Sequence, residues 1–460
     1  MHPDRRLRAI FASAAICCCL LTASARGFLP DDRWSRTVAG TTGIAGDPIE
    51  LSWSLVPDGT SVLGTGGVAL GPSDLIATLD SLFGDGPGGD DYTRRPWFDF
   101  FESSFERYSE LGGLSYRYEP DDDGRVLGGT PGAFLRRGDV RIGGVSIDGD
   151  GNVLGFNGLP DGGDMVLDTD DEAFLGNAAG DHVRIRNVIM HEHGHGLGLL
   201  HVNSNDSALL MESFIQSSFE GPQLDEIRGI HFFYGDVYEK SNGLLGNDTA
   251  SQATDLGSLT SGHSLRIGAD ADVRGQAISA DAVDFVSIDR ATDVDVYSFD
   301  VQEPTLLDAV LTPRGGVFNQ AAQDQTPTRF DANARVDLAL DILDADGRTV
   351  LAAVDETRLG GVEAIISLAL PAAGQYFARV TGLEDSVQLY DLRLSAAAPA
   401  IDYLPADFTE DGVVDALDLA LWEQSFGVNA VADADDDFDS DGFDFLVWQR
   451  QWGASPLGAS

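Results

Sequence analysis

The sequence predicts a multidomain protein with an α+β domain, a β-sandwich and a small helical domain that carries two acidic loops. Three observations predict this fold class. Strand-like and helix-like patterns alternate up to about residue 240, short alternating strands follow, and the last ~50 residues contain an internal repeat. A chain of 460 residues is long enough for two to four domains.

The composition limits the classes of partner. The net charge is −46, and 43% of the residues are hydrophobic. This apolar content is typical of packed cores. The negative charge argues against nucleic acid and anionic membranes as partners, because they would repel the chain. The charge suits calcium binding, although a role in solubility explains much of it equally well.

The N terminus has the pattern of a secretory signal peptide over residues 1–25. Arg5-Arg6 lies in a positively charged N-terminal stretch, and an apolar run follows it. Ala23-Ser24-Ala25 then matches a signal-peptidase cleavage site. The arginine pair is also compatible with a twin-arginine export signal. All three cysteines lie inside this segment, so we expect a mature chain without disulfides that is secreted, extracellular or held at the cell surface. No other segment has the length and apolarity of a membrane span.

The first domain is expected to occupy residues 26–240. Its apolar periodicity predicts a helix capped by Ser73, a second aromatic-rich helical stretch after Pro96, and a later helix that begins near Asp181. The first two stretches would form one layer on the sheet, as two helices or as one broken helix. Alternation predicts the strands of that sheet at residues 49–56, 114–118 and 140–143.

The most informative motif is HExxHxxGxxH, which starts at His191. On a helix, His191 and His195 share a face, and Glu192 lies about 100° round the helix, where it can act on water. Gly198 can adopt a left-handed conformation that ends the helix and lets His201 supply a third nitrogen. Three protein ligands leave one zinc position open, as in catalytic sites. A bare HExxH is often accidental, but this longer form is much stricter.

This motif resembles that of the metzincin zinc proteases, in which a methionine lies beneath the metal. Met211 follows His201 at a suitable distance. The segment 224–235, with its Gly-Ile and Phe-Tyr-Gly pattern, resembles the end of the matrixin catalytic domain. The matrixin resemblance covers roughly residues 47–235. It implies a twisted mixed sheet, a zinc helix and peptide hydrolysis with Glu192 as the general base.

The resemblance also implies calcium sites. At two positions, however, this sequence departs from the pattern of the animal matrixins. Phe156 and Val166 stand where animal matrixins have histidines, so we expect no structural zinc. Solvated acidic loops are the alternative to calcium binding. The expected calcium ligands are four carboxylates: Asp139, Asp164, Asp168 and Asp171.

A linker is predicted at residues 241–254 and a β-sandwich at residues 255–400. The pattern at 293–299, followed by 370–376, resembles the prepeptidase C-terminal domains of secreted bacterial proteases. Such domains are accessory, so no catalytic residue is expected there.

The internal repeat occupies residues 404–456 and resembles a dockerin, a module that folds on calcium and binds a cohesin partner. Two solvated acidic linkers are the alternative. Phe438 replaces the turn glycine of the second loop, which predicts a distorted or shifted loop. The first loop would bind calcium through Asp407, Thr409, Asp411, Asp415 and Asp418, and the second through Asp433, Asp435, Asp437, Asp439, Asp441 and Asp444.

These patterns predict a secreted zinc endopeptidase whose substrate lies along an edge strand near residues 153–160. The alternative is a calcium-dependent assembly or surface-binding protein with a vestigial protease domain. A serralysin-like metzincin is disfavoured because tandem glycine-rich calcium repeats are absent from the sequence.

Overall fold

A computed structural model describes residues 27–205, 208–273, 277–398 and 404–455. The predicted signal peptide lies outside these residues. The α-helices are α1 (Leu75–Phe83), α2 (Phe98–Leu111), α3 (Glu172–Leu175), α4 (Val183–Gly196), α5 (Leu224–Tyr234), α6 (Ser241–Leu244), α7 (Ala416–Ser425) and α8 (Gly442–Gln451). No helix in the described ranges is long and apolar enough to cross a membrane.

The strands divide between an α+β region, up to residue 240, and a β-sandwich region. The α+β region has β1 (Leu29–Pro30), β2 (Arg36–Thr37), β3 (Gly40–Thr41), β4 (Ile49–Leu55), β5 (Ser61–Leu63), β6 (Ala69–Pro72), β7 (Leu114–Tyr118), β8 (Val140–Val145), β9 (Gly155–Asn157), β10 (Met165–Asp168), β11 (Leu199–Leu200) and β12 (Val202–Ser204). The sandwich region has β13 (Thr254–Leu259), β14 (Ser264–Ile267), β15 (Val286–Ile288), β16 (Val294–Val301), β17 (Thr305–Arg314), β18 (Val317–Ala322), β19 (Thr328–Asp331), β20 (Leu338–Leu343), β21 (Val350–Val354), β22 (Glu363–Leu370), β23 (Gly374–Gly382) and β24 (Gln388–Ala397).

The main sheet of the α+β region has the order β7-β4-β8-β10-β9. Its first four strands are parallel, and β9 is an antiparallel edge strand. Trp53 of β4 stacks on Phe105 of α2, with ring centroids 4.8 Å apart, which places the aromatic layer in the core as predicted. The two predicted helical stretches form separate helices, α1 and α2.

The predicted cap of α1 is wrong. Ser73 instead accepts a hydrogen bond from the Gly144 amide. The first-turn amides of Ile76 and Ala77 donate to the Asp58 carboxylate, which comes from an earlier turn of the chain. A carboxylate from outside the helix therefore accepts hydrogen bonds from first-turn amides that have no partner within the helix.

The second half of the chain folds as the predicted β-sandwich. One sheet has the order β13-β16-β23-β20-β21, and the other contains β14-β24-β17-β22 with β15 paired to β24. Alternate residues of β17 are buried, as expected for a strand with one face on the core. Residues from both sheets form one apolar core.

The two regions share buried surface. Leu111 and Ile227 of the α+β region pack with Ile278, Phe285 and Leu389 of the sandwich region in one apolar cluster. The predicted linker between them contains α6, which follows a short 3-10 helix at Val237–Lys240. The contact between the regions therefore includes a buried apolar cluster to which both regions contribute residues.

The C-terminal repeat forms two equivalent loop–helix units. Trp422 Nε1 donates to the Asp441 carbonyl oxygen at 2.8 Å, and Trp448 Nε1 donates to the Asp415 carbonyl oxygen at 2.9 Å. Each tryptophan therefore holds the loop of the other unit at the residue that caps its helix.

The expected distortion of the second acidic loop is wrong. Phe438 adopts φ +74°, close to the +84° of Gly412 in the first loop. The amides of Gly412 and Phe438 donate, each at 2.8 Å, to the first aspartates of their loops, Asp407 and Asp433. The second loop thus keeps the register of the first, with an exposed phenylalanine in the left-handed conformation.

Candidate metal centre

Helix α4 carries the first two predicted ligands on one face. Nδ1 of His191 lies 2.7 Å from the Leu210 carbonyl oxygen, and Nδ1 of His195 lies 2.7 Å from the Leu199 carbonyl oxygen. These oxygens can only accept, so each Nδ1 carries the proton and each Nε2 presents a lone pair.

A sharp turn brings the third ligand back. Gly198 has φ +100°, and a Cβ there would lie 2.0 Å from the Asp32 carbonyl oxygen. The N-terminal segment supports the turn, because the Asp31 amide donates to Gly198 O at 2.8 Å and Trp34 Nε1 donates to Gly196 O at 2.7 Å. The expected role of Gly198 in ending the zinc helix agrees with this geometry.

The three histidines converge. His201 Nε2 lies 3.0 Å from His191 Nε2 and 3.1 Å from His195 Nε2. Burial lowers the pKa of all three imidazoles, that of His195 to about 4, so the neutral forms are favoured. Three neutral imidazole nitrogens facing one point suit a bound cation, and tetrahedral zinc would place them about 3.3 Å apart. The residues therefore fit zinc.

Glu192 is the next residue of α4 after the first predicted ligand, His191. Its side chain is buried, and burial raises its pKa to about 8. A Cβ built on Gly155 of the edge strand β9 would lie 3.4 Å from Glu192 Cγ. Glu192, which follows His191 in α4, thus packs against the strand predicted to bind substrate.

His193, which falls on a different face of α4 from His191 and His195, is a packed residue. Its Nε2 lies 2.7 Å from the Tyr116 hydroxyl, and its ring contacts Phe105 and Tyr108 edge-on. Burial lowers the pKa of His193 to about 3.

Met211 lies beneath the zinc helix. A Cβ on Gly194 would lie 2.5 Å from Met211 Sδ, so a larger residue at this crossing would force the Met211 side chain to shift. The Met211 amide donates at 3.0 Å to Glu226 of α5, which also accepts from the Gln223 amide at 2.9 Å. Sequence reasoning missed Glu226, although its place three residues into α5 is a capping-box position.

The four carboxylates expected to bind calcium do not converge on one point in the described part of the chain. Asp139 accepts from the Val38 and Ser52 amides, and Asp164 accepts from the Gly128 amide. Asp168 and Asp171 accept from amides of the loop at 147–151. Backbone amides therefore occupy much of their hydrogen-bonding capacity.

A second acidic group, missed by sequence reasoning, lies where the two regions meet. Oxygens of Glu239, Asp248 and Asp293 lie within 4.8 Å of one another. Burial, with the nearby Asp236 and Asp293 charges, raises the pKa of Glu239 to about 9. Among the described residues, neither amide atom of the buried Asn247 has a hydrogen-bond partner, nor has Asp293 Oδ1. Buried oxygens without a hydrogen-bond partner, such as Asn247 Oδ1 and Asp293 Oδ1, can act as ligands for a hard cation.

The second acidic loop of the C-terminal repeat also brings its carboxylates together. Asp433, Asp435 and Asp444 form one close group, and Asp439 and Asp441 form another with Asp444. In the first loop, Asp418 accepts from the Thr409 amide and hydroxyl, both at 2.9 Å. Asp411 and Asp415 each accept from the amide two residues later.

Comparison with known proteins agrees with this centre. The matrixin family model, peptidase M10, matches residues 134–235. Matrix metalloproteinase-16 of rat, human and mouse is 39% identical to this chain over 96 residues, which are 19% of this chain and 15% of each relative. The chain thus spans about 15% of the length of these curated relatives.

Parts of this chain also align weakly with solved structures. The pre-peptidase C-terminal domain of a Bacillus anthracis collagenase aligns with 31% of this chain and 95% of its own, at 12% identity and a TM-score of 0.18. Aeromonas hydrophila PliG, a periplasmic lysozyme inhibitor, aligns with 31% of this chain and 99% of its own, at 11% identity and a TM-score of 0.16. These scores are too low to support an assignment. The match over 134–235 indicates a metalloprotease domain of matrixin type, and the His191, His195 and His201 triad within it is consistent with zinc binding.

Proposed function

We propose that this protein is a secreted zinc-dependent endopeptidase. The observation that carries the proposal is the convergence of three histidine Nε2 atoms. Helix α4, which supplies two of them, also carries the buried Glu192, and Glu192 packs against the edge strand β9. His191, His195 and His201 would hold the zinc, which supplies Lewis-acid activation of water and of the peptide carbonyl.

Glu192 would perform the proton transfers. As general base it takes a proton from water, and the resulting hydroxide attacks the carbonyl carbon of the peptide. Glu192 then delivers that proton to the nitrogen of the leaving amine as the C–N bond breaks. A cation beside the carboxyl group favours its ionised form and opposes the effect of burial on its pKa.

Substrate would bind as an additional strand. β9 is the edge strand of the main sheet, so within the described part of the chain one of its sides is not paired with another strand of that sheet. An extended peptide can pair with this edge and pass in front of Glu192. The segments 153–160 and 202–219 would form the rim and the opposite wall of the cleft, where Val153 and Phe214 are exposed.

Cleavage of a peptide library by the purified protein tests this function. We expect cleavage that a zinc chelator abolishes and added zinc restores. Glu192→Gln should lose nearly all activity while it retains zinc, and Glu102→Gln, at an exposed position of α2, should behave as wild type. Equal turnover by wild type and Glu192→Gln would refute the assignment.

Calcium is proposed as a structural cofactor at the group of Glu239, Asp248 and Asp293. The atoms of Asn247 and Asp293 that have no hydrogen-bond partner among the described residues favour this location. They favour it over the four carboxylates expected from the sequence, which are Asp139, Asp164, Asp168 and Asp171. Calcium titration of the full chain by calorimetry should give one bound ion fewer for Asp293→Asn than for wild type. Asp346→Asn, at an exposed turn, is the control, and equal stoichiometry for all three proteins would exclude calcium there.

The C-terminal repeat is proposed as a dockerin-like module that binds calcium and a cohesin-like partner. The two equivalent acidic loops, each followed by a helix, support this assignment. We expect calcium-dependent binding of the full chain to an immobilised cohesin and loss of binding in chelator. Binding that persists in chelator would argue against a calcium-folded module.

A further inference from the structure

The hairpin of β18 and β19 extends from the β-sandwich region to the metal centre. β18 pairs antiparallel with β12, so that Val202 lies opposite Ala322 and Ser204 lies opposite Gln320. β12 begins directly after His201. The backbone that follows the third zinc ligand is therefore held by hydrogen bonds to the sandwich region.

Side chains strengthen this pairing at both ends. Asn203 Nδ2 donates to the Gln325 carbonyl oxygen at 2.9 Å, and Ser204 Oγ donates to the Asn319 carbonyl oxygen at 2.7 Å. Near the turn of the hairpin, where Gln320 pairs with Thr328, Gln320 Nε2 donates at 2.9 Å to the buried carboxylate of Asp225 in α5. The hairpin is thus fixed to two elements of the α+β region.

The hairpin also contacts the third ligand itself. Nδ1 of His201 lies 3.4 Å from Oε1 of Gln323, whereas the other two ligands use carbonyl oxygens of their own region. The Nε2 of His201 faces the metal position, so Nδ1 carries the proton and donates to Gln323. Such partners orient ligating histidines and set metal affinity.

We propose that the β-sandwich region completes the metal centre, with Gln323 as the positioning residue for His201. The sandwich is then an integral part of the protease rather than a detachable accessory. This inference rests on the zinc site proposed above. The contact at 3.4 Å is longer than the 2.7 Å contacts of His191 and His195, so we expect an effect of about 10-fold, the lower end of the range for such partners.

Zinc affinity of the full chain, measured by competition with a chromophoric chelator, tests the proposal. Gln323→Ala should bind zinc about 10-fold more weakly than wild type, and Gln323→Glu, which keeps an acceptor, should bind close to wild type. Gln325→Ala is the matched control, because Gln325 is exposed on the same turn and contributes its backbone carbonyl. The visible spectrum of the cobalt-substituted proteins should change for Gln323→Ala alone.

The outcomes separate the two proposals. Zinc binding by wild type with an equal affinity for Gln323→Ala overturns the role of Gln323 and leaves the protease assignment standing. A wild-type protein that binds no zinc overturns both. Equal weakening in Gln323→Ala and Gln323→Glu also contradicts the proposal, because a hydrogen-bond acceptor would then not be what matters.

Discussion

The Nε2 atoms of His191 and His201 lie 3.0 Å apart, although the residues are ten positions apart in the chain. Helical geometry cannot create this approach, because a helix would separate such residues by about 15 Å along its axis. The turn at Gly198 creates it, and the N-terminal segment holds the turn through Asp31 and Trp34.

Gly198→Ala is predicted to destabilise the protein. The substitution places a Cβ 2.0 Å from the Asp32 carbonyl oxygen at a φ of +100°. We expect the free energy of unfolding to fall by about 3 kcal/mol, with weaker zinc binding. Denaturant unfolding and zinc titration measure these effects.

Gly59→Ala is the matched control for this prediction. Gly59 also has a positive φ, +89°, but a Cβ on this residue would have no other atom within 4 Å. Backbone strain alone should cost about 1 kcal/mol there. If the two variants lost equal stability, the close approach of Asp32 would not be important.

His231→Gln is predicted to reduce the pH dependence of stability. Buried His231 joins the two regions, with Nε2 donating to the Leu111 carbonyl oxygen and Nδ1 bonded to the Ser287 hydroxyl. Burial lowers the pKa of His231 to about 4, from the 6.5 expected when unfolded. The unfolded chain therefore takes up a proton first, so stability is lost as the pH falls from about 6.5 to 4.

Denaturant unfolding at pH 7.5, 6 and 5 measures this effect. Wild type should lose about 2 kcal/mol more than His231→Gln between pH 7.5 and 5. His263→Gln, at an exposed position, should follow wild type. Parallel pH profiles for wild type and His231→Gln would show that His231 is not responsible.

Phe438→Gly is predicted to tighten calcium binding by the second acidic loop. Phe438 has φ +74°, and its exposed side chain loses little packing when it is removed. Relief of the left-handed strain, about 1 kcal/mol, favours the loop conformation that we propose binds calcium. Calorimetric titration of the full chain should show a higher affinity at one site. Gly412→Phe should weaken the first loop, and an unchanged affinity in both variants would contradict the argument.

The sequence predicts those parts of the fold that depend on local patterns. Each of these patterns spans only a short stretch of the chain. They are the histidine spacing of the motif, the helical periodicity of α4 and the strand alternation of β17. The glycine at 198 was also recognisable, because its neighbours already implied a reversal of the chain. These features needed no knowledge of distant contacts.

Other features depend on contacts between distant segments. Gln323 contacts His201, although the two residues are 122 positions apart in the chain. The acidic group that contains Glu239 and Asp293 forms only when the two regions pack together. Asp139, predicted as a calcium ligand, accepts a hydrogen bond from the amide of Val38, 101 positions earlier, and no local pattern indicates that contact. Phe438 shows that a strained conformation is tolerated when the surrounding aspartates fix the loop.

The zinc content of the purified protein tests the central claim most directly. After reconstitution and removal of loosely bound metal, elemental analysis should find one zinc ion per chain, held by the three converging imidazoles. His201→Ala should lose this ion under the same washing, while His263→Ala should keep it. Wild-type protein without stoichiometric zinc, or a His201→Ala variant that retains it as firmly as wild type, would contradict the account.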